Sequence, residues 1–265
     1  RFGSRMYEGA GVAALEYASN LYLVIAGVFV LSVTNVIFPK LSRLTAGGRE
    51  EDFLSTIRQT VRYTMFFILP MSAGLMTVAR PLISLIYGGG SFDGFSVWIT
   101  YLALSWMSLG MAGYALQNVL SRVYFARQRG REPLVAGAVS IAANIALCAL
   151  LAERLEVAGL ALASALSSTI YALLLLLPLQ RGGDKVLDRA ALMDLGKMVL
   201  AAAGMGLCVQ LMVGRLSILL SGGKLGELVT LGLCALTGAA LYFLLALVLR
   251  VEEAGAVLAL VKKKQ

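Results

Sequence analysis

Histidine is absent from this chain, and cysteine occurs three times, at Cys148, Cys208 and Cys234, always inside an apolar stretch and never as a Cys-x-x-Cys pair. These absences remove histidine general bases and the usual zinc-ligand spacings, so no metal site is assigned and the thiols read as buried side chains. Charge is scarce as well: 14% of residues are charged against 59% hydrophobic, and the mean hydropathy is +0.82. A soluble domain has nowhere to hide so much apolar surface. Acidic residues number only 15, and the pairs Glu50/Glu51 and Glu252/Glu253 read as parts of solvent-facing connections rather than as carboxylates facing one another. With no matched acid and base the chain is not read as an enzyme, and no catalytic residue is named.

What fills the sequence instead is a series of seven apolar runs, near 12–38, 60–87, 95–120, 133–152, 156–179, 198–220 and 226–249. Each is long enough to cross a hydrocarbon core of about 30 Å. The fold class that follows is all-α, a polytopic transmembrane bundle of about seven membrane helices. Of the 23 basic residues, 17 fall on one side: in the connections from Lys40 to Arg62, Arg122 to Arg131, Arg181 to Lys197, and Arg250 to Lys264. The positive-inside rule puts these in the cytoplasm, together with the C-terminus. The formal charge of +8 is thereby a topology signal, and nucleic acid is not needed as a partner. The chain starts at Arg1 without a signal-peptide pattern, which reads as the C-terminal part of a longer protein.

Pro39 is expected to end the first helix. From Glu50 to Arg62, Phe53, Leu54, Ile57 and Val61 oppose Asp52, Arg58 and Arg62; the stretch is either an amphipathic surface helix or an extension of the next span. Pro70 invites a kink, with packing or bending as its use. Tyr87 to Asp93 reads as a tight outer turn whose glycines take positive φ. The short link at Glu153, Arg154 and Glu156 makes the fourth and fifth helices antiparallel neighbours, and their small residues permit close approach. A composition shift near 182–196 separates a lobe at 1–181 from two further helices at 182–265. The tail ends in an apolar run and three lysines, suited to anionic lipid.

Polar residues inside the spans are costly unless they meet protein or water. Glu16 and Asn20, four apart beside Tyr17, share a face; Gln117 and Asn118 precede Arg122; Asn144 and the series Ser164, Ser167, Ser168, Thr169 lie within the hairpin helices. Each reads singly as an interhelical hydrogen bond, and together they suit a polar internal cavity.

Several runs carry a resemblance. Tyr17-Ala18-Ser19-Asn20-Leu21, then Gly27-Val28-Phe29 and Val36-Ile37-Phe38-Pro39-Lys40-Leu41-Ser42-Arg43, resemble the helix-8 signature of the MurJ/MviN lipid II flippases, within the multidrug/oligosaccharidyl-lipid/polysaccharide exporter superfamily. Tyr87 to Asp93, and Leu120 to Gln128 followed by Pro133, agree with it; the match covers about residues 1–181, and 182–265 match in layout alone. The resemblance implies the C-terminal half of a bacterial inner-membrane protein that moves an undecaprenyl-pyrophosphate-linked glycan lipid outward by alternating access. In that family a basic cavity between two lobes holds the pyrophosphate, and a groove reaching the last two helices holds the tail. The missing N-terminal lobe of the same protein and the surrounding membrane lipids are the other implied partners.

Two departures accompany it. Asn20 stands where the family usually has a cavity-facing arginine, which leaves Arg1, Arg5 or Arg122 to supply the charge. Asn144, Leu160 through its carbonyl, and Ser164 fall on the positions of a family cation site, but Cys148 holds the carboxylate position. No cofactor is expected, and the coupling is to Na+ or to the membrane potential. Export of another polyprenyl-linked glycan, or a non-transporting scaffold on the same fold, are the alternative functions.

Overall fold

Backbone amides in lipid must be satisfied within their own segment, which leaves the α-helix as the form an apolar run of this length adopts. The computed structural model describes residues 10–90, 92–181, 186–219 and 223–262, and every long apolar run among them is helical. The first span is α1 (Ala10–Tyr22), a π-helical turn at Leu23–Gly27 and α2 (Val28–Ala46), continuous with one another. It does not stop at Pro39. A proline forfeits one hydrogen bond, and burying Leu41 and Leu44 beyond it outweighs that loss; the helix ends only at Gly47, whose N–H donates to Arg43 O.

Next comes α3 (Glu50–Tyr87), one helix through both Pro70 and Pro81. Residues 50–62 are therefore the extension of the span, with Phe53, Ile57 and Val61 buried and Arg58 exposed. The turn after it contains Gly89 at φ 126° and Gly90 at φ 61°, and the Asp93 carboxylate caps α4 (Gly94–Leu109) by accepting from the Ser96 N–H at 2.8 Å. At Gly110 the chain bends by 48° into α5 (Met111–Ala126).

The run α6 (Arg131–Arg181) breaks at Glu156, whose φ of 49° turns the helix back on itself. Its halves, 131–155 and 157–181, are antiparallel: Ser140 Oγ donates to Ser167 O at 2.7 Å, and Tyr171 Oη donates to Pro133 O at 3.2 Å. Gly159 is needed at the closed end, since a Cβ there would lie 2.4 Å from Leu151 O. After it come α7 (Arg189–Leu219), α8 (Lys224–Val248) and the short α9 (Glu252–Lys262). Among the described residues five helices are long and apolar enough to cross a membrane, six with the bent α4–α5 pair. With α6 folded into a hairpin, the same described helices form seven legs.

Two apolar cores hold the bundle. One gathers Ala18, Ile68, Leu75, Ile99, Leu104, Met198 and Met205 from α1, α3, α4 and α7; the other gathers Leu41, Phe53, Ile57, Leu120 and Leu175 toward the basic end. Helix α7 lies along α3, α8 packs on both, and α9 folds back against α8 and α3.

Candidate functional site

Helix α1 buries Ala14, Ala18 and Leu21 against the bundle and leaves the other side open. Glu16 and Asn20 are exposed on that open side, whereas the Tyr17 ring packs on Tyr87 at 4.7 Å and Phe92 at 5.4 Å; among the described residues neither Glu16 nor Asn20 is an interhelical packing group. The π-helical turn follows directly, widening the helix by a residue; nothing in the composition of Leu23 to Gly27 signals it. Arg1 and Arg5 lie outside the described residues.

Behind α1, a cavity of about 310 Å³ is lined by Tyr22, Tyr114, Gln117, Ser140, Ser164 and Ser168 among others, so α1, α5 and both halves of α6 contribute polar groups. Of the expected site residues it brings together Gln117 and Ser164. The tyrosines, Tyr22 and Tyr114, meet edge-on at 5.6 Å and were not singled out by sequence, since an aromatic in an apolar run carries no polar signal there. Close backbone contact builds this wall: a Cβ on Gly110 would meet Ala165 Cα at 2.4 Å, and one on Gly113 would meet Thr169 Oγ1 at 2.6 Å.

The three residues on the family cation positions are hydrogen-bonded within the α6 hairpin. Asn144 Nδ2 donates to Ser167 Oγ at 3.1 Å, its Oδ1 accepts from the Cys148 thiol at 3.7 Å, and the Leu160 carbonyl accepts from Ser164 Oγ at 3.2 Å. A cation here would find neutral oxygens that already take part in hydrogen bonds, and no carboxylate at Cys148. Among the described residues no cluster of three Asp, Glu, Cys or His side chains suits a metal.

Arg122 sits elsewhere, at the basic end, with its guanidinium 5.8 Å over the Phe38 ring. Beside it Arg127 stacks at 4.6 Å over Phe53 and pairs with Glu50. Glu253 corrects the sequence reading, being buried, whereas Glu252 faces solvent as expected. Because α9 folds back, Arg62 pairs with Glu253 and lies 2.8 Å from both Glu252 and Asp194; Glu253 and Asp194 are themselves buried.

An apolar cavity of about 480 Å³ opens between α3, α7 and α8, lined by Phe66, Pro70, Gly74, Met205, Gly238 and Phe243 among others. Small residues on facing helices leave the slot: Gly74 and Gly238 would each bring a Cβ to within 3.8 Å of Met205.

The family model described as Lipid II flippase MurJ matches residues 2–250. This chain belongs to the MurJ family. A probable lipid II flippase MurJ of Rhizobium meliloti is 30% identical over 241 residues, covering 90% of this chain and 45% of the relative. One from Thermotoga maritima is 29% identical over 246 residues, covering 93% and 47%. The fold of a solved structure, Lipid II flippase MurJ in an inward closed conformation, matches with a TM-score of 0.72 at 24% identity, over 89% of this chain and 46% of the other. The chain spans about half the length of the curated relatives it matches.

Proposed function

We propose that this chain is the C-terminal lobe of a flippase for lipid II, an undecaprenyl-pyrophosphate-linked glycan, moved from the inner to the outer leaflet by alternating access. The observation that carries the reading is the uncovered side of α1. A carboxylate and an amide left to hydrocarbon are costly, so a partner lobe or an aqueous cavity belongs against Glu16 and Asn20. The missing N-terminal lobe is that neighbour, and the polyprenyl tail takes the apolar slot between α3, α7 and α8. The fall of 17 of the 23 basic residues in alternate connections of the sequence supports an orientation with those connections and the C-terminus in the cytoplasm of a bacterial inner membrane.

The neutral Asn20 favours one second reading, export of a different polyprenyl-linked glycan, because an amide cannot reproduce the paired hydrogen bonds of arginine to a pyrophosphate. Complementation of a flippase-depleted bacterium by the full-length protein tests both. Restored growth supports lipid II as substrate; normal expression without growth favours the other glycan.

A further inference from the structure

The same α3/α7/α8 seam contains a second cavity, of different chemistry, that the tail assignment does not use. Its volume is about 770 Å³, and its walls include Arg80 and Ser84 of α3, Tyr101 of α4, Gln210 of α7 and Glu227 of α8. It joins the apolar slot end to end: Thr77 of the polar cavity lies between Gly74 and Val78 of the slot, and Gln210 follows Val209. Apolar lining at membrane depth thus gives way to polar lining at the end of the bundle opposite the basic clusters.

Both signs of charge are present there and held apart. Glu227 Oε1 accepts from Ser84 Oγ at 2.8 Å, and among the described residues no other group bonds its carboxylate. Arg80 is exposed and, among the described residues, has no hydrogen-bond or ion-pair partner. An unused guanidinium and a half-used carboxylate in one chamber, above an apolar slot, complement a head group that carries phosphate and ammonium above acyl chains. Arginine is the better phosphate ligand, since its planar fork matches two oxygens. The N-terminus of α8, which opens at Lys224 beside Glu227, adds the positive end of a 25-residue helix to the same chamber.

We propose that the seam binds a zwitterionic aminophospholipid of the leaflet at that end, with its phosphate on Arg80, its ammonium on Glu227 and one acyl chain in the Phe66–Gly238 slot when no polyprenyl tail fills it. The inference goes beyond the flippase reading: it concerns a resident lipid, and it holds whichever glycan is moved.

The test is native mass spectrometry of the full-length protein, delipidated in detergent and titrated with phosphatidylethanolamine or phosphatidylglycerol, with a polyprenyl diphosphate as competitor. Wild-type protein should retain the aminophospholipid about tenfold more tightly than the glycerol lipid, the worth of one charge-assisted hydrogen bond. Arg80→Ala should weaken both lipids, Glu227→Gln should erase the preference between them, and Arg154→Ala, an exposed arginine at the same end, should change nothing. Arg80→Gln gives the same reading if the alanine variant does not purify. Equal retention of the two lipids by wild type, or wild-type retention by Arg80→Ala, overturns the proposal. So does a polyprenyl diphosphate whose binding, rather than the aminophospholipid's, depends on Arg80. Since the measurement is of binding, a protein that fails to flip lipid II still reports on this site.

Discussion

Arg62 of α3 meets Asp194 of α7 at 2.8 Å across 132 positions of sequence, and the same guanidinium holds both glutamates at the start of α9. Lys197 reaches the other oxygen of Asp194 at 2.7 Å, so one cluster ties α3, α7 and α9 together at the basic end. Arg62 is 19% exposed and Asp194 7%, which makes this a largely dry network. Removing Arg62 strands the buried Glu253 carboxylate and leaves Asp194 to Lys197 alone, a loss of about 3–5 kcal/mol for a broken buried pair. Arg62→Ala is expected to lower the melting temperature in detergent sharply, and Arg62→Ala with Asp194→Asn and Glu253→Gln to recover part of it. An unchanged melting curve for the single variant refutes the structural role.

Gly113 has no room for a side chain. Its Cβ would lie 2.8 Å from both the backbone nitrogen and the Cα of Thr169, and backbone atoms do not yield as a flexible side chain does. Gly113→Leu should cost at least the roughly 1–3 kcal/mol of an overpacked core, while Gly232→Leu, where a Cβ meets nothing within 4 Å, should be near neutral. Comparable melting temperatures for the two variants would show that α5 and α6 do not pack as described.

The fold was legible because membrane physics leaves few choices: a 25-residue apolar run such as α8 must be helical, and Glu156 amid charged neighbours marks the reversal inside α6. Pro39 and residues 50–62 misled or divided the reading because burial further along, at Leu41 and Ile57, decides whether a helix continues, and burial is a tertiary property. The site was legible only residue by residue. Gln117 and Ser164 share a cavity, yet its tyrosines, the π-helical turn and the Arg62 cluster depend on which helices become neighbours across 50 or more residues, and no local spacing encodes that.

Orientation is open to a labelling experiment. With Cys148, Cys208 and Cys234 replaced by serine, single cysteines at Ala46 and Gln128 should stay protected from a membrane-impermeant thiol reagent in intact cells, and those at Arg154 and Lys224 should react. All four positions are exposed in the bundle, so protection reports the membrane side and not burial. Reaction at Gln128 from outside would reverse the topology.

If Asn144, Ser164 and Ser167 are a packing network rather than a cation site, replacing Na+ by choline should leave both thermal stability and lipid II binding of the full-length protein unchanged. Cys148→Asp restores the carboxylate beside Asn144, which the thiol now contacts at 3.7 Å, and is expected to introduce sodium-dependent stabilisation. Binding of one cation is worth about 2.7 kcal/mol at a hundredfold excess over its dissociation constant. Sodium-dependent melting of the wild-type protein would sink this assignment.

Asn20 decides how the open side of α1 is used. It is exposed, and the residues that pack the helix are Ala14, Ala18 and Leu21 on its other side, so Asn20→Arg displaces no core contact. Facing an aqueous cavity, the new guanidinium keeps its hydration and gains a doubly charged ligand; its paired hydrogen bonds to a pyrophosphate should raise affinity for a pyrophosphate-linked lipid about tenfold. Facing hydrocarbon, the same charge would cost about 2.5–3.5 kcal/mol at the helix centre and depress insertion. Wild-type melting temperature with tighter lipid binding in the full-length variant therefore supports a cavity between two lobes. A poorly expressed, destabilised variant with no gain in affinity means that this side of α1 meets lipid, and that the substrate's charge is held elsewhere.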